Sequence, residues 1–306
     1  MRVQERYRGC LLGLAAGDAL GTTLEFKSPG AFAPLTGMVG GGPFGLEPGQ
    51  WTDDTSMALC LAESLIERRS FDPRDQSERY LLWMESGHLS SNGRCFDVGM
   101  TVRGALRRFA RTREPYCGSP DPGSAGNGSL MRLAPVPMAY ARWPRMACAR
   151  AAESSRTTHG AQECLDACSF FASLIIRALH GQEKGTLLAG VDPNAGRLSP
   201  KVAAVAGGSY RRKQPPELRS TGYVVDTLEA ALWAFAATDS FAEGALRVVN
   251  LGGDADTAGA VYGQLAGAFY GVEGIPESWR GRLARRGEIE AFADGLLALA
   301  RTGTMK

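Results

Sequence analysis

Histidine is scarce in this chain and closely spaced cysteine pairs are missing: its 306 residues include three histidines, His88, His159 and His180, and seven cysteines with no Cys-x-x-Cys spacing. Zinc sites draw on clusters of these two residue types, so the composition turns the search for a metal away from zinc. An odd number of scattered thiols fits a reducing compartment, where most serve as small core residues. Also lacking is an apolar run of the ~20 residues that a membrane-spanning helix needs. The opening MRVQERYRGCLLGLAAGDALG has the basic residues and short apolar stretch of a signal peptide, but Asp18 interrupts that stretch after about eight residues, and the thiol count opposes export. A surplus of charge is absent too, with 34 basic against 32 acidic residues and a net charge of +2. No global feature therefore favours nucleic acid or a membrane as partner. The basic clusters Arg107-Arg108, Arg211-Arg212-Lys213 and Arg285-Arg286 lack the interleaved aromatics of a nucleic-acid stacking surface and read as solvated faces. A soluble cytoplasmic protein is expected.

Alternating β-branched runs long enough for strands are scarce as well, whereas helical periodicity is present almost throughout. Cys164, Cys168, Phe171, Ile175 and Leu179 recur at spacings of three and four, as do Val224, Leu228, Ala231, Leu232 and Phe235. Comparable stripes predict helices over 5–20, 54–69, 73–86, 98–112, 129–141, 145–155, 240–250, 256–271 and 288–301. The fold class is therefore all-α, and 44% apolar content supplies a core. Gly/Pro-rich passages at 28–50 and 114–128 predict shaped loops, which at this length inside a compact chain tend to be functional. The polar passage 206–222 reads as a surface excursion. No linker marks a change of composition, so residues 1–306 are expected to form one domain.

Two acidic segments stand out, WTDDTSMAL (51–59) and GGDADTAGA (252–260), each opening an apolar helix. Asp and Thr are good helix-starting residues, because their oxygens accept from free N–H groups and the negative charge suits the positive end of the dipole. Thr52-Asp53-Asp54 can be read as an ordinary cap. Asp254-Ala255-Asp256-Thr257 is harder to read so, since one residue suffices as cap and two carboxylates within a turn repel each other. A hard divalent cation such as Mg²⁺, Mn²⁺ or Ca²⁺ relieves that repulsion with oxygen ligands. Two such clusters brought together offer enough oxygens for two ions, which in a binuclear site lie roughly 3.5–4 Å apart. Gly9, Gly13, Gly17 and Gly21 recur every fourth residue, as do Gly259, Gly263 and Gly267. Two helices with such flat sides can pack closely, bringing Asp18 and Glu25 toward the acids.

An ordered series of segments resembles the ADP-ribosylglycohydrolase family, in particular its dinitrogenase-reductase-activating type: LLGLAAGDALGTTLEF (11–26), GQWTDDTSMAL (49–59), FDVGMTVRGAL (96–106), AGNGSLMRLAP (125–135), TTHG (157–160), GYVVDT (222–227) and VNLGGDADTAGAVYGQLAGAFYG (249–271). The resemblance implies a compact, orthogonal, multi-helix all-α fold with two Mg²⁺ or Mn²⁺ ions in a cleft. It also implies hydrolysis of the bond between ADP-ribose and a modified protein side chain, most commonly the N-glycosidic bond to arginine, with free ADP-ribose as product. Carried over residue by residue, Thr52, Asp53, Asp54, Asp254, Asp256 and Thr257 are the implied metal ligands. Glu25 matches the acid on the loop after the first helix that completes the site, and Asp97 the acid beside the scissile bond; with Asp54 and Asp256 they form the implied catalytic set. Gly126, Asn127, Gly128 and Ser129 match a turn that holds the distal ribose and diphosphate, His159 a phosphate-side histidine and Tyr223 an aromatic near adenosine. Where the subgroup commonly reads DVGNT, Met100 replaces the Asn, and 113–124 matches poorly. Both lie on the side of the departing group, leaving open a serine, nucleobase or free ADP-ribosyl linkage, or a non-catalytic binder of ADP-ribose or of a transferase.

Overall fold

A computed structural model describes residues 1–190 and 193–302. In chain order the α-helices among them are α1 (Val3–Gly21), α2 (Asp53–Arg68), α3 (Pro73–Ser86), α4 (Met100–Thr112), α5 (Pro135–Ala139), α6 (Pro144–Arg156), α7 (Gln162–Leu179), α8 (Lys184–Leu187), α9 (Pro200–Ala206), α10 (Val224–Ala236), α11 (Phe241–Val249), α12 (Ala255–Tyr270), α13 (Glu277–Arg280) and α14 (Arg286–Thr302). Among the described residues β pairing is confined to the isolated bridges Gly41–Leu46, Ser119–His159 and Gly126–Tyr223. The all-α expectation holds. None of these helices is long and apolar enough to cross a membrane, and all seven cysteines are free thiols, six of them buried.

Local chemistry sets the helix ends. The Asp72 carboxylate accepts from Arg74 N and Asp75 N, Pro73 opens α3, and Gly87 closes it in a left-handed conformation with φ 71°. Ser240 caps α11 by accepting from Glu243 N at 3.2 Å.

The glycine-faced helices do meet. A methyl group placed on Gly9, Gly13, Gly17 or Gly21 would lie 2.2, 2.3, 1.9 and 2.2 Å from the carbonyl oxygens of Gly267, Gly263, Gly259 and Ala255. The pairing order shows that α1 and α12 run antiparallel, backbone against backbone, for about three turns. Side chains normally hold helix axes 8–10 Å apart; here only hydrogens separate the chains. The C-terminal end of α1, carrying Asp18, is thereby set beside the N-terminal end of α12, carrying Asp256.

The predicted helix over 129–141 is corrected to the five-residue α5 preceded by turns. Pro135 and Pro137 have no N–H to donate to the carbonyls of Met131 and Leu133, so a continuous helix would lose two rungs of its ladder. Gln264 on α12 repairs the break. Its amide nitrogen donates to Leu130 O at 3.2 Å and Met131 O at 2.6 Å, and its oxygen accepts from Ala134 N at 2.8 Å. The short helices α8, α9 and α13 were not predicted.

Loop 28–50 is held by specific bonds. The Asn250 side chain accepts from Leu35 N at 2.7 Å and donates to Leu35 O at 3.0 Å, as a paired strand would. Phe26 N donates to Gly253 O at 2.7 Å and Gly253 N to Lys27 O at 2.8 Å, stitching the turn after α1 to the GGD loop. At Gly253 a side chain would strike Ser220 O at 2.1 Å and its φ is 66°, so only glycine permits this approach.

Candidate active site

The α1–α12 seam, the start of α2 and the segment before α4 converge on a cleft of about 580 Å³. Glu25, Asp53, Asp97, Asp254, Asp256 and Thr257 line it on one side, and Gly126, Asn127, Gly128 and His159 on the other. Thr52 and Asp54 lie directly behind this acidic wall. Thr52 Oγ1 is 3.3 Å from Asp54 Oδ2 and 3.4 Å from Asp256 Oδ2, and Thr257 Oγ1 is 3.5 Å from Asp54 Oδ2. The two acidic segments, two hundred residues apart in sequence, therefore meet.

The plain capping reading of these acids fails for a specific reason. Neither Thr52 nor Asp254, the residues at the cap positions of α2 and α12, makes a side-chain cap bond. Asp18 caps α2 from outside: its carboxylate accepts from Thr52 N at 2.9 Å, Thr52 Oγ1 at 3.0 Å, Thr55 N at 3.0 Å and Thr55 Oγ1 at 2.6 Å. Asp53 and Asp54 are thereby released from local duty. Asp97 adopts a left-handed backbone, φ 58°, just ahead of α4, a conformation that Asp tolerates better than most residues. One carboxylate oxygen from each of Glu25, Asp97 and Asp256 lies within 4.8 Å of the others.

Electrostatically the cluster is unbalanced. Among the described residues no Lys, Arg or His forms an ion pair with Asp18, Glu25, Asp53, Asp54, Asp97, Asp254 or Asp256. Burial first, and neighbouring carboxylates second, lift Asp97 to about 7 and Glu25 to about 9. The same causes push Asp53, Asp54 and Asp256 well above the usual carboxylate range. Burial raises Asp18 only to about 6, because the threonine hydrogen bonds favour its charged form. Glu25 Oε2 and Asp54 Oδ1 are buried without a hydrogen-bond partner. Such orphaned, all-oxygen donors fit a hard divalent cation.

On the opposite wall, Asn127 holds the turn. Its amide donates to Thr227 Oγ1 and to Asp254 Oδ2, both at 2.9 Å, and its backbone N–H donates to Gly222 O at 3.1 Å. Gly128 N and Ser129 N, by contrast, make no backbone hydrogen bond among the described residues. The His159 ring packs on the turn so closely that a methyl on Gly128 would lie 2.8 Å from Cε1. Burial, then the nearby Arg132, lowers the His159 pKa to about 3, so the ring is neutral. Two expected binding residues sit behind this wall and do not line the cleft. Ser129 Oγ is buried and accepts from Ser155 Oγ at 2.8 Å; the Tyr223 hydroxyl donates to Glu163 Oε2 at 2.5 Å and accepts from Lys201 Nζ at 2.9 Å. The sequence reading missed Phe26, Val102, Met131 and Gly222, which also line the cleft. It also missed the buried Arg132, whose one visible signal is a lone arginine inside the apolar run LMRLAP. Met100, where the subgroup pattern departs, is 92% exposed at the rim.

Comparison with known proteins agrees with this geometry. The family model for ADP-ribosylglycohydrolase matches residues 1–304. An ADP-ribosylarginine hydrolase Tri1 from Pseudomonas putida is 42% identical over 292 residues, covering 95% of this chain and 78% of that protein. Its counterpart from Serratia proteamaculans is 40% identical over 296 residues, 97% of this chain and 80% of that one. The ADP-ribosyl-[dinitrogen reductase] glycohydrolase of Rhodospirillum rubrum is 36% identical over 307 residues, 97% of each chain. A solved structure described as an ADP-ribosylglycohydrolase-related protein complex superposes with a TM-score of 0.87 at 48% identity, covering 97% of this chain and 99% of that one.

Proposed function

Because the chain belongs to the ADP-ribosylglycohydrolase family and so cleaves ADP-ribosyl glycosidic bonds, we propose that it frees arginine side chains of proteins from ADP-ribose, using two Mg²⁺ or Mn²⁺ ions held in the acidic cleft. The observation that carries this reading is the cluster of seven carboxylates, five buried and Asp97 and Asp254 half-buried, with no cation partner among the described residues, two of whose oxygens have no hydrogen-bond partner. Thr52, Asp53, Asp54, Asp254, Asp256 and Thr257 would hold the ions. Bound there, such ions supply charge neutralisation, orientation of the ribose 2′- and 3′-hydroxyls, and polarisation of a water.

The remaining work falls to the chain's own groups. Asp97 stands outside the proposed ligand set, although one of its oxygens lies within 4.8 Å of oxygens of Glu25 and Asp256, and it is the carboxyl proposed to exchange a proton with water and leaving group. It would take a proton from the attacking water and return one to the departing guanidine nitrogen, which must leave neutral. Its carboxylate form also stabilises the positive charge that the ribose develops as the bond breaks. Glu25 closes the cleft beside it. The free N–H of Gly128, with His159, would offer the diphosphate hydrogen-bond donors, and Asn127 fixes that turn against Asp254.

The test is hydrolysis of two peptides, one ADP-ribosylated on arginine and one on serine, with Mg²⁺ or Mn²⁺ and with chelator. Turnover of the arginine peptide only in the presence of ion is expected, with Asp54→Ala and Asp256→Ala losing both ion binding and turnover. Ion-independent turnover, or preference for the serine peptide, overturns the assignment. A protein that binds ADP-ribose without cleaving either peptide would be a binder.

A further inference from the structure

We propose that Arg132, acting through Thr158, locks His159 in the tautomer that carries its proton on Nε2, so that the imidazole presents a donor to the diphosphate of ADP-ribose. The last clause rests on the function proposed above; the lock itself does not.

Arg132 is completely buried. Its Nη1 donates to Gly128 O at 3.0 Å and its Nη2 to Thr158 Oγ1 at 2.6 Å, while the guanidinium lies 4.5 Å from the centre of the Tyr80 ring. No carboxylate pairs with it among the described residues, and its Nε has no partner. A buried guanidinium without a carboxylate partner is costly to hold out of water, and its bonds to Gly128 O and Thr158 Oγ1 tie it to the turn where the proposed ligand carries two negative charges.

The tautomer follows from counting protons. A guanidinium can only donate, so Thr158 Oγ1 receives a hydrogen from Arg132. The hydroxyl has one hydrogen of its own, and its other partner is His159 Nδ1 at 2.9 Å. Were Nδ1 protonated, two donors would face one oxygen, and the hydroxyl hydrogen would be buried without an acceptor, which is unfavourable. The hydroxyl therefore donates to Nδ1, and the neutral ring carries its proton on Nε2. That atom faces the cleft turn: a methyl on Gly126 would lie 3.2 Å from it. The chain Arg132, Thr158, His159 thus hands a fixed N–H to a site where an acceptor-only anion is expected, with no proton to be rearranged on binding. Arg132 and Thr158 are positioning residues.

The experiment is nitrogen NMR of the full chain labelled in histidine, with His159 assigned among the three histidines by His159→Gln, alongside calorimetric titration with ADP-ribose. Unprotonated Nδ1 and protonated Nε2 are expected in the wild type. Thr158→Val and Arg132→Met should give mixed tautomers and at least a ten-fold weaker ADP-ribose affinity, and Thr158→Ser should restore both readouts. A wild-type His159 protonated on Nδ1 overturns the lock even if no variant folds, and so does a folded Thr158→Val with wild-type tautomer and affinity. A wild-type protein with the expected tautomer but no affinity for ADP-ribose overturns the functional reading and the diphosphate clause, while the lock stands.

Discussion

Replacing Gly17 by alanine tests the seam on which the site depends. The new methyl would sit 1.9 Å from Gly259 O, and real contacts of this kind essentially never fall below 3.0 Å. The helices must therefore separate locally by about 1.1 Å, and the obstacle is a backbone carbonyl, which has no rotamer to escape into. Overpacking of a well-filled core costs about 1–3 kcal/mol; a backbone obstacle flanked by close approaches of 2.3 and 2.2 Å at Gly13 and Gly21 places Gly17→Ala at the upper end, about 3 kcal/mol. For a chain of this size that is a fall of about 5 °C in the unfolding midpoint. The same separation moves Asp18 and Glu25 away from Asp256, and a displacement of about 1 Å in a catalytic constellation costs on the order of 100-fold in rate. Gly104, exposed within α4 with nothing within 4 Å of an added methyl, is the control: there alanine should stabilise by about 0.5–1 kcal/mol. Calorimetric melting and hydrolysis of ADP-ribosylated arginine peptide, measured on both variants, decide the matter. A Gly17→Ala protein that melts and turns over like wild type would show that the seam is not closed as described.

Two further outcomes follow from the buried polar groups. Burial and the neighbouring acids raise Glu25 from its ordinary value of 4.5 to about 9, so in ion-free protein its contribution to stability is complete below pH 4.5 and is lost as the pH climbs to about 9. Relative to wild type, Glu25→Gln should therefore gain thermal stability progressively from pH 5 to 9 in chelator, with no further gain above, as read by melting curves across pH. Gln264→Met should strand Met131 O and Ala134 N in the core, Leu130 O keeping Leu133 N at 3.3 Å, and each unsatisfied group costs about 1 kcal/mol or more; denaturant unfolding should show a loss of about 2 kcal/mol with an unchanged slope.

The long helices were legible because each repeats an apolar stripe over three or more turns, and the acidic segments because two carboxylates in one turn need a reason. Even the α1–α12 contact was legible, since glycine every fourth residue on two helices implies close packing. What stayed hidden depends on partners distant in sequence. Nothing near Pro135 announces that Gln264 will satisfy the broken ladder, and Asp18 reads as a residue ending an apolar run, not as the cap of a helix that starts at Asp53. Arg132 and Thr158 have no local pattern, because their meaning lies in bonds to Gly128 O and His159 Nδ1. Ser129 and Tyr223 show the opposite failure: the motif places them at the site, but their hydroxyls are engaged behind it.

The capping arrangement explains how a fold tolerates so much unbalanced charge. Asp18 uses both carboxylate oxygens on Thr52 and Thr55, and the Thr52 hydroxyl has one hydrogen for three candidate acceptors. The shortest contact, 3.0 Å to Asp18 Oδ1, takes it. The lone pairs of Thr52 Oγ1 are then left facing Asp54 Oδ2 at 3.3 Å and Asp256 Oδ2 at 3.4 Å with no hydrogen between them. Three oxygens so placed repel one another unless a proton or a cation stands among them, and the raised pKa values of Asp54 and Asp256 are the protons' answer in ion-free protein. The positive ends of α2 and α12, which both point at the cluster, offset part of the repulsion, each worth up to about 2 kcal/mol in a partly buried setting. Asp18 thus orients Thr52 so that its oxygen faces two carboxylates, an arrangement that suits the proposed divalent ion, since one such ion would neutralise two carboxylates at once.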